Sequence, residues 1–283
     1  MANVKVFTDS TAYLTDEDKE QLGITVVPLV ITFQNSSYKE RVEIKDEDFY
    51  KALAEKGGFP TTSQPSAGDF AKAYQENANE GDEIISIHIS SAISGTYASA
   101  ISAAGMLPNY NISVFDSFTT AVGLRYLVTE AAKMAQIGVG KEDILKALNF
   151  MRDRVHILFM VDTLEYLRRG GRIGGAQALI GSLLQVKPIL TIRGKIEVFD
   201  KVRTRQKALA RMTEEFKKFY SSHDHSKIRA SILHVNSPGT CDDLAQLIKG
   251  DIPDLQLEKI SVGPVIGAHV GPGTLGVAYC LLP

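Results

Sequence analysis

A short polar turn that begins at Ser94 is the strongest candidate for binding chemistry in this sequence. The residues Ser94-Gly95-Thr96 follow a predicted strand at 84–89 and precede a predicted helix rich in small residues. Glycine lets a backbone approach a ligand closely, and the free N–H groups at a helix start suit an anion. The two hydroxyls can each donate a hydrogen bond, but serine and threonine also serve as helix caps. The spacing therefore leaves two interpretations open, a helix cap and a contact to an anionic ligand.

Two further polar clusters could contribute to such a site. The run from Thr61 to Ser66 is a hydroxyl-rich turn, and a solvated loop with Ser66 capping the next helix is its simpler interpretation. His269 lies among glycines, where close backbone approach is easy, and a structural and a functional role are about equally favoured there. The segment Gly271–Gly276 satisfies G-x-G-x-x-G, but it precedes an apolar strand instead of a helix, so we reject a dinucleotide site.

The sequence offers no metal or nucleotide motif that we can identify. His223 and His225 lie in a serine-containing polar stretch, which predicts a loop and not a pair of metal ligands. Neither G-x-x-x-x-G-K-[ST] nor G-x-S-x-G occurs in the chain. We therefore expect no metal and no cofactor.

Basic residues are concentrated in one segment, Arg168–Arg211. It holds eleven Lys or Arg residues and two acids, a net of +9, whereas the whole chain carries a formal charge of −2. A solvated basic face is the simplest interpretation, and a docking surface for phosphate or an acidic partner is the alternative. The turn Arg168-Arg169-Gly-Gly-Arg172 fits phosphate, because guanidinium groups bind it bidentately. Nucleic acid is not expected as a partner, because the rest of the chain is acidic and no aromatic residue lies between these arginines.

Alternating strands and helices must position these side chains. Apolar runs at 4–7, 84–89 and 112–115 each end in a polar turn and precede a helical pattern, which is typical of βαβ units and a parallel sheet. The β-rich run at 24–33 contains Pro28, which indicates an edge strand or a bulge. In the second half, a hairpin at 189–199 and strands at 157–161, 228–235, 260–262 and 276–282 predict a mixed sheet.

Four helices of the second half are predicted from their patterns. One begins at Asp162-x-x-Glu165 and ends at Gly170-Gly171, and another contains Leu209, Met212, Phe216 and Phe219. Apolar residues at 176, 179, 180, 183 and 184 have helical spacing. Thr240 and Asp243 have the spacing of a cap for a further helix. Together these elements predict an α/β fold of two domains, residues 1–155 with a parallel sheet and residues 156–283 with a mixed sheet. Ligands of open α/β sheets bind beyond the carboxyl ends of the strands, where the Ser94 turn is predicted to lie.

Composition excludes several classes of protein. The chain has 283 residues and 44% hydrophobic content, which is ordinary for a globular protein with a sizeable core. Cys241 and Cys280 lie far apart in the sequence, so a reducing compartment is the simpler expectation. No apolar run approaches the roughly 18 residues that a membrane span needs, and the first residues do not resemble a signal peptide. We therefore expect a cytoplasmic protein of bacterial type.

Six dispersed motifs resemble the DegV family, in that family's order and over essentially the whole chain. They are Val6-Phe-Thr-Asp-Ser-Thr-Ala, Thr62-Ser-Gln-Pro-Ser, Ile93-Ser-Gly-Thr-Tyr, Asp162-Thr-Leu-Glu-Tyr-Leu-Arg-Arg-Gly-Gly-Arg-Ile, Lys187-Pro-Ile-Leu and Gly267-Ala-His-Val-Gly-Pro-Gly-Thr. The resemblance implies an N-terminal three-layer α/β/α domain with a parallel sheet and a C-terminal two-layer α/β domain with a mixed sheet. It also implies one long-chain fatty acid bound between the two domains.

The resemblance further implies a role in lipid metabolism. The FakB subunits of bacterial fatty acid kinase belong to this family, and they present the fatty acid carboxylate to a separate ATP-dependent kinase subunit, FakA. That subunit makes the acyl phosphate for phospholipid synthesis, and FakB has no nucleotide site of its own. We therefore expect a fatty-acid-binding subunit that is not itself an enzyme. A kinase subunit resembling FakA is its expected partner, with at most transient contact with a membrane surface.

The motifs also assign roles to individual residues. Thr62, Ser94 and His269 would hold the carboxylate, with the backbone N–H groups around Gly95 and Thr96 close by. Three arginines would dock the kinase or its phosphates, and these are Arg169, Arg172 and Arg203.

Two other functions compete with this one. Ser94 activated by His269 would be the nucleophile of an esterase or thioesterase. Alternatively, the chain would be a regulatory scaffold whose basic segment alone matters.

Overall fold

The first half of the chain forms a parallel sheet with helices on both faces. The computed structural model describes residues 3–180 and 186–283. The strands of this half are β1 (Val4–Asp9), β2 (Ile24–Val27), β3 (Val30–Phe33), β4 (Ser36–Lys39), β5 (Thr61–Ser63), β6 (Glu83–His88) and β7 (Asn111–Asp116). Its helices are α1 (Asp16–Leu22), α2 (Asp46–Lys56), α3 (Ala67–Asn77), α4 (Thr96–Met106), α5 (Ala121–Gln136) and α6 (Lys141–Arg152).

The strand order β2-β1-β6-β7, with every pair parallel, confirms the predicted parallel sheet. Helices α3 and α4 pack on one face of this sheet, and α5 and α6 pack on the other. Pro28 separates β2, at the edge of the sheet, from β3, so the chain leaves the parallel sheet at this point. Strands β4, β3 and β5 then form a small antiparallel sheet, which the sequence analysis did not predict. The Thr62 segment is thus an edge strand of that sheet and not a solvated loop.

The second half forms a six-stranded mixed sheet, as predicted. Its strands are β8 (Val155–Met160), β9 (Lys187–Arg193), β10 (Lys195–Val202), β11 (Ile228–His234), β12 (Leu257–Ser261) and β13 (Leu275–Leu281). Its helices are α7 (Glu165–Arg169), α8 (Arg205–Ser221), α9 (Pro238–Asp251) and α10 (Pro264–Val270). The order is β10-β9-β8-β13-β11-β12, antiparallel except for the parallel pair of β11 and β12. The predicted hairpin is confirmed, with its turn at Gly194, whose φ of 75° suits glycine.

Three details differ from the sequence-based predictions. Helix α9 begins at Pro238 with Ser237 as its cap, so the prediction of Thr240 as the cap is wrong, because Pro at the first position already presets helical φ. The helical stripe from residue 176 is a 3-10 helix, Gly174–Leu179, and its positions 183 and 184 lie outside the described residues. Helix α10 was not predicted, because glycines interrupt its apolar pattern.

Helix α5 is shared by the two sheets. It contacts β1 and β6 on one side and β8, β11 and β13 on the other, and eleven of its sixteen residues are buried. A helix that is apolar on most sides belongs in an interior. The Tyr126 hydroxyl donates a hydrogen bond to Ser231 Oγ at 2.7 Å, which links α5 to β11. One apolar core therefore runs through both halves, and the domain boundary between residues 155 and 156 stays a prediction.

We expect Tyr126→Phe to lower the free energy of unfolding by about 1–2 kcal/mol, because it leaves the buried Ser231 without this hydrogen bond. Because α5 packs on both sheets, unfolding should remain a single transition that shifts as a whole. Urea denaturation, followed by far-ultraviolet circular dichroism and by fluorescence, measures the free energy of unfolding and the number of transitions. Tyr97→Phe is the control, since its hydroxyl has no hydrogen bond to the described residues. Two separate transitions, of which only one shifts, would contradict the shared core.

Candidate functional site

An apolar pocket lies between the parallel sheet and the mixed sheet. Residues from both halves form its wall, and most are branched aliphatic side chains of strand ends and of helix α10. The apolar lining consists of Leu29, Ile89, Ile93, Ala121, Ile157, Phe159, Ile192, Ile196, Leu233, Val235, Val262, Val265, Ile266 and Val270. Such a lining suits a hydrocarbon, because transfer of apolar surface out of water is favourable.

Thr62 and His269 meet at this pocket although 207 residues separate them. Strand β5 positions Thr62 and helix α10 positions His269, and Thr62 Oγ1 lies 2.7 Å from His269 Nε2. The other ring nitrogen, Nδ1, is buried without a hydrogen-bond partner among the described residues. It lies against Gly170, where an added Cβ would come within 2.1 Å of Nδ1. The glycine of the Arg-Gly-Gly-Arg turn is thus needed for the imidazole to fit.

The imidazole of His269 is neutral at physiological pH. Burial disfavours the charged ring and lowers its pKa to about 4, and the positive charge of Arg172 acts in the same direction. A neutral imidazole can donate one hydrogen bond and accept one. His269 therefore offers a polar contact at the end of an apolar pocket without placing a fixed charge there.

Ser94 also lines the pocket, but it makes no hydrogen bond to the imidazole within the described part of the chain. Its hydroxyl lies 2.9 Å from Thr96 Oγ1 and accepts a hydrogen bond of 3.3 Å from the Thr96 N–H. Gly95 is the cap residue of α4 and makes no side-chain cap bond. Ser94 thus accepts a hydrogen bond from the first amide of α4 and borders the pocket, while its contact to an anionic ligand stays a prediction.

Ser94 and His269 do not form the nucleophile and base pair of the esterase alternative among the described contacts. In an acyl hydrolase the imidazole would bond the serine hydroxyl and would be oriented through its second nitrogen. Here the imidazole bonds Thr62, and its second nitrogen has no partner among the described residues. The geometry therefore disfavours the esterase alternative.

The three predicted arginines occupy different environments. Arg172 lines the pocket, and its guanidinium donates to the Ile93 carbonyl at 2.9 Å and to the Gly170 carbonyl at 2.7 Å, which joins the two halves. Arg169 is half exposed, bonded to Glu165 and stacked 4.0 Å from the centre of the Phe59 ring. Arg203 is exposed just after β10 and does not line the pocket. The structure therefore brings only Arg172 together with the polar cluster.

Acidic side chains pair with part of the basic segment. Glu165 bonds Arg168 and Arg169, and Asp162 bonds Arg205. Arg211 contacts three acids, Asp200, Glu214 and Glu215. Local pairing thus screens part of the +9 charge that the sequence shows. Arg203 forms no ion pair within the described part of the chain, so its charge remains available.

Glu40 is a residue that the sequence analysis missed. It is fully buried, and its carboxylate accepts a hydrogen bond from the Val265 N–H of α10 at 2.7 Å and from the Ser10 hydroxyl at 2.6 Å. Burial raises its pKa to about 7, and these two hydrogen bonds oppose that shift. Tyr13 supports the same contact by accepting from the Ile266 N–H. These residues of the first half hold the helix that carries His269.

Gln64 was also missed, although it lies within one of the quoted motifs. Its side chain packs directly on Gly95, where a Cβ would come within 2.0 Å of the Gln64 Oε1, and its amide donates to Ser99 Oγ. A side chain at residue 95 would therefore displace the Gln64 amide from its place against α4. Gln64 and Gly95 belong to two of the quoted motifs, Thr62-Ser-Gln-Pro-Ser and Ile93-Ser-Gly-Thr-Tyr. Nothing in the two motifs indicates that they pack against each other.

A second array of catalytic residue types is fully buried in the parallel sheet. His88 lies 3.0 Å from Asp9 and 2.6 Å from Ser86 Oγ, which also accepts a hydrogen bond from Tyr74. The side chains of His88, Asp9 and Ser86 are inaccessible to solvent, and none of them lines the pocket. This array satisfies buried polar groups and contributes to structure.

The described residues contain neither a membrane-spanning helix nor a metal-ligand cluster. Within 3–180 and 186–283, no helix combines the length and apolar character that a membrane crossing requires. The same stretches bring together no group of three or more His, Cys, Asp or Glu side chains that could hold a metal ion.

The fold and the site define an α/β protein with an apolar ligand pocket between a parallel and a mixed sheet. A family model described as "Uncharacterised protein, DegV family" matches residues 3–281. The chain is 40% identical over 280 residues to a DegV domain-containing protein of Listeria innocua, with 98% of each chain covered. It is 39% identical over 283 residues to Protein DegV of Bacillus subtilis, covering 98% of this chain and 99% of that protein. This chain therefore belongs to the DegV family.

Solved structures of the family have the same fold. DegV of Bacillus subtilis, described as a fatty acid binding protein, has a TM-score of 0.92 at 38% identity, with 99% and 100% of the two chains covered. A DegV family protein of Thermus thermophilus, described by its fatty acid binding, has a TM-score of 0.90 at 34% identity with the same coverage. A stearic acid-binding protein of Eubacterium ventriosum has a TM-score of 0.89 at 26% identity, with 99% of this chain and 98% of that chain covered.

The neutral His269 makes stability depend on pH. Between pH 6.5 and about 4 the unfolded chain binds a proton that the native imidazole does not, so stability falls as the pH falls through this window. Between pH 7 and pH 4 the free energy of unfolding falls in both proteins, and we expect the fall to be smaller in His269→Asn than in the wild type by up to about 3 kcal/mol. Urea denaturation at the two pH values measures this difference, with His225→Asn at an exposed position as the control. The same loss in His269→Asn and in the wild type would contradict the neutral imidazole.

Proposed function

We propose that this protein binds one long-chain fatty acid in the pocket between the two sheets, with the carboxylate at Thr62, Ser94 and His269. The observation that carries the proposal is an apolar pocket with a hydroxyl and imidazole cluster on its wall. The family relatives described as fatty acid binding proteins support it. The pairing of apolar wall and polar cluster matches a molecule with a long hydrocarbon chain and one acidic end.

Burial of the hydrocarbon chain supplies the affinity in this account. Each methylene removed from water contributes about 0.8 kcal/mol, so a long acyl chain contributes on the order of 10 kcal/mol before ordering costs. A carboxylate cannot follow the chain into apolar surroundings unless its oxygens are paired. The polar cluster therefore determines which end of the ligand lies where.

The polar cluster has donors suited to a carboxylate. An unpartnered buried N–H is costlier than an unpartnered acceptor, so we assign the ring proton of His269 to Nε2, from which it donates to Thr62 Oγ1. The Thr62 hydroxyl proton is then free to point at the ligand, beside the hydroxyl of Ser94. Helix α4 begins two residues after Ser94 and its Thr96 N–H bonds the Ser94 hydroxyl, so we place the positive end of the α4 dipole near the carboxylate, and Arg172 in the pocket wall contributes positive charge.

The partner belongs to the same proposal. A carboxylate held by hydroxyls and a neutral ring, with no fixed ion pair, is available to accept a phosphoryl group. We propose that a separate ATP-dependent kinase subunit resembling FakA acts on it in the cytoplasm and makes acyl phosphate for phospholipid synthesis. Arg169 and Arg203 are exposed, so they provide charge at the surface for docking this partner or its phosphates. Arg172 belongs to the same Arg-Arg-Gly-Gly-Arg turn as Arg169 and lines the pocket.

We expect Thr62→Val to weaken binding of stearic acid by roughly 10- to 100-fold, because it removes a hydrogen bond to a charged group. Calorimetric titration of the delipidated protein measures the affinity. Thr61→Val is the matched control, since Thr61 is the neighbouring residue of β5 and does not line the pocket. Wild-type affinity in Thr62→Val would contradict this placement of the carboxylate.

Docking of the kinase predicts a separate effect for Arg203→Glu. Acyl phosphate formation by an added FakA-type subunit should fall by about tenfold or more, because reversal of a surface charge slows association with an oppositely charged partner. Affinity for the fatty acid should not change, since Arg203 does not line the pocket. Lys249→Glu, an exposed reversal on α9 outside the basic segment, is the control. Equal rates for both variants would exclude Arg203 from the docking surface.

A further inference from the structure

One polar side chain in the pocket wall has a hydroxyl without a hydrogen-bond partner among the described residues. The polar residues of the wall are Thr62, Ser94, Thr120, Arg172, His269 and Thr274. Thr62 bonds His269, Ser94 bonds Thr96, and Arg172 bonds two carbonyls. Thr274 donates to the carbonyls of Val270 and Gly271. The hydroxyl of Thr120 alone among these hydroxyls makes no hydrogen bond to any described residue.

Thr120 is buried and lies where a helix begins. Its side chain is 8% exposed, and it is the cap residue of the sixteen-residue helix α5 but makes no side-chain cap bond. The first amides of a helix have no acceptor within the helix. Ala121, the first residue of α5, also lines the pocket. A hydroxyl and the start of a helix therefore occur together in a wall that is otherwise largely aliphatic.

An unpaired hydroxyl at this position has an energetic consequence. A buried polar group without a partner loses its hydrogen bonds to water and gains none, which is unfavourable. Valine has the same shape and no such cost, and its β-branched side chain suits the extended backbone of Thr120, with φ −158° and ψ −179°. A ligand that carries an oxygen at this depth of the pocket would remove the cost.

We propose that Thr120 forms a second polar contact inside the pocket and selects a hydroxylated fatty acid over an unsubstituted one. This inference rests on the proposed function, since it assigns part of the acyl chain to this wall. The Thr120 hydroxyl can donate to and accept from a ligand hydroxyl. The ligand group is uncharged, because Arg172 is the only cationic side chain in the described wall, and it stands with the carboxylate cluster.

The test compares stearic acid with a positional series of hydroxystearic acids, substituted from the second to the last carbon. Each ligand is titrated into the delipidated full-length protein, its Thr120→Val variant and its Thr119→Val variant. Thr119 is the matched control: its hydroxyl is also buried and unpartnered among the described residues, but it does not line the pocket. Thermal unfolding of the lipid-free variants shows whether each one folds, and we expect Thr120→Val to be at least as stable as the wild type.

The expected result is a preference of about fivefold or more for one or two hydroxyl positions in the wild type and in Thr119→Val. Thr120→Val should bind the hydroxylated acids no more tightly than stearic acid. No preference at any position in the wild type, or a preference that survives in Thr120→Val, would overturn the inference. Failure of the wild type to bind stearic acid and every member of the series would instead refute the proposed function.

Discussion

The parallel sheet and the mixed sheet of this protein bury one apolar layer between them, and the candidate site depends on that layer. Helix α5 packs on both sheets, and helix α10 carries His269 into the space between them. Because the pocket is part of the same layer, the strand ends that form the core also form its wall. A ligand in this pocket extends the core, so its affinity follows from the effect that stabilises the fold.

A buried carboxylate from the first half positions α10. Glu40 bonds the first turn of that helix together with the hydroxyl of Ser10, and Tyr13 bonds the next amide. An acidic group near the amino end of a helix satisfies amides that have no partner within it. The position of His269 relative to Thr62 is therefore fixed by contacts at the opposite end of α10, well away from the pocket's polar cluster.

The polar cluster offers a carboxylate hydrogen bonds from uncharged groups instead of an ion pair with arginine. The imidazole of His269 is uncharged because burial lowers its pKa to about 4. Its Nε2 forms a hydrogen bond with the hydroxyl of Thr62. The guanidinium of Arg172 already bonds the carbonyls of Ile93 and Gly170, so it supplies positive charge beside the site while joining the two halves. A carboxylate held in this way keeps its orientation without a buried ion pair, which would cost several kcal/mol per ion to desolvate.

Much of this organisation is encoded in local patterns. The alternation of apolar runs and polar turns predicted the parallel sheet and placed Ser94 at the carboxyl end of β6, and Pro28 marked the point where the chain leaves that sheet. The quoted motifs contained Thr62, Gln64, Gly170 and His269.

The contacts between distant segments could not be predicted from such patterns. No periodicity shows that Thr62 meets a histidine 207 residues later, or that Glu40 is buried against α10. Helix α10 is short and rich in glycine, so its pattern resembles a turn, and tertiary packing decides its conformation. The pairing of the basic segment with Asp162 and Glu165 could not be predicted either, because it depends on the folded chain.

If the pocket holds a fatty acid, the protein should retain that fatty acid through purification, and the bound lipid can be identified directly. The protein purified from bacterial cells is weighed intact by native mass spectrometry, then denatured and extracted with organic solvent, and the extract is identified by mass spectrometry. We predict one fatty acid per chain. A protein that carries no fatty acid, and takes up none when long-chain fatty acids are added, would contradict the account.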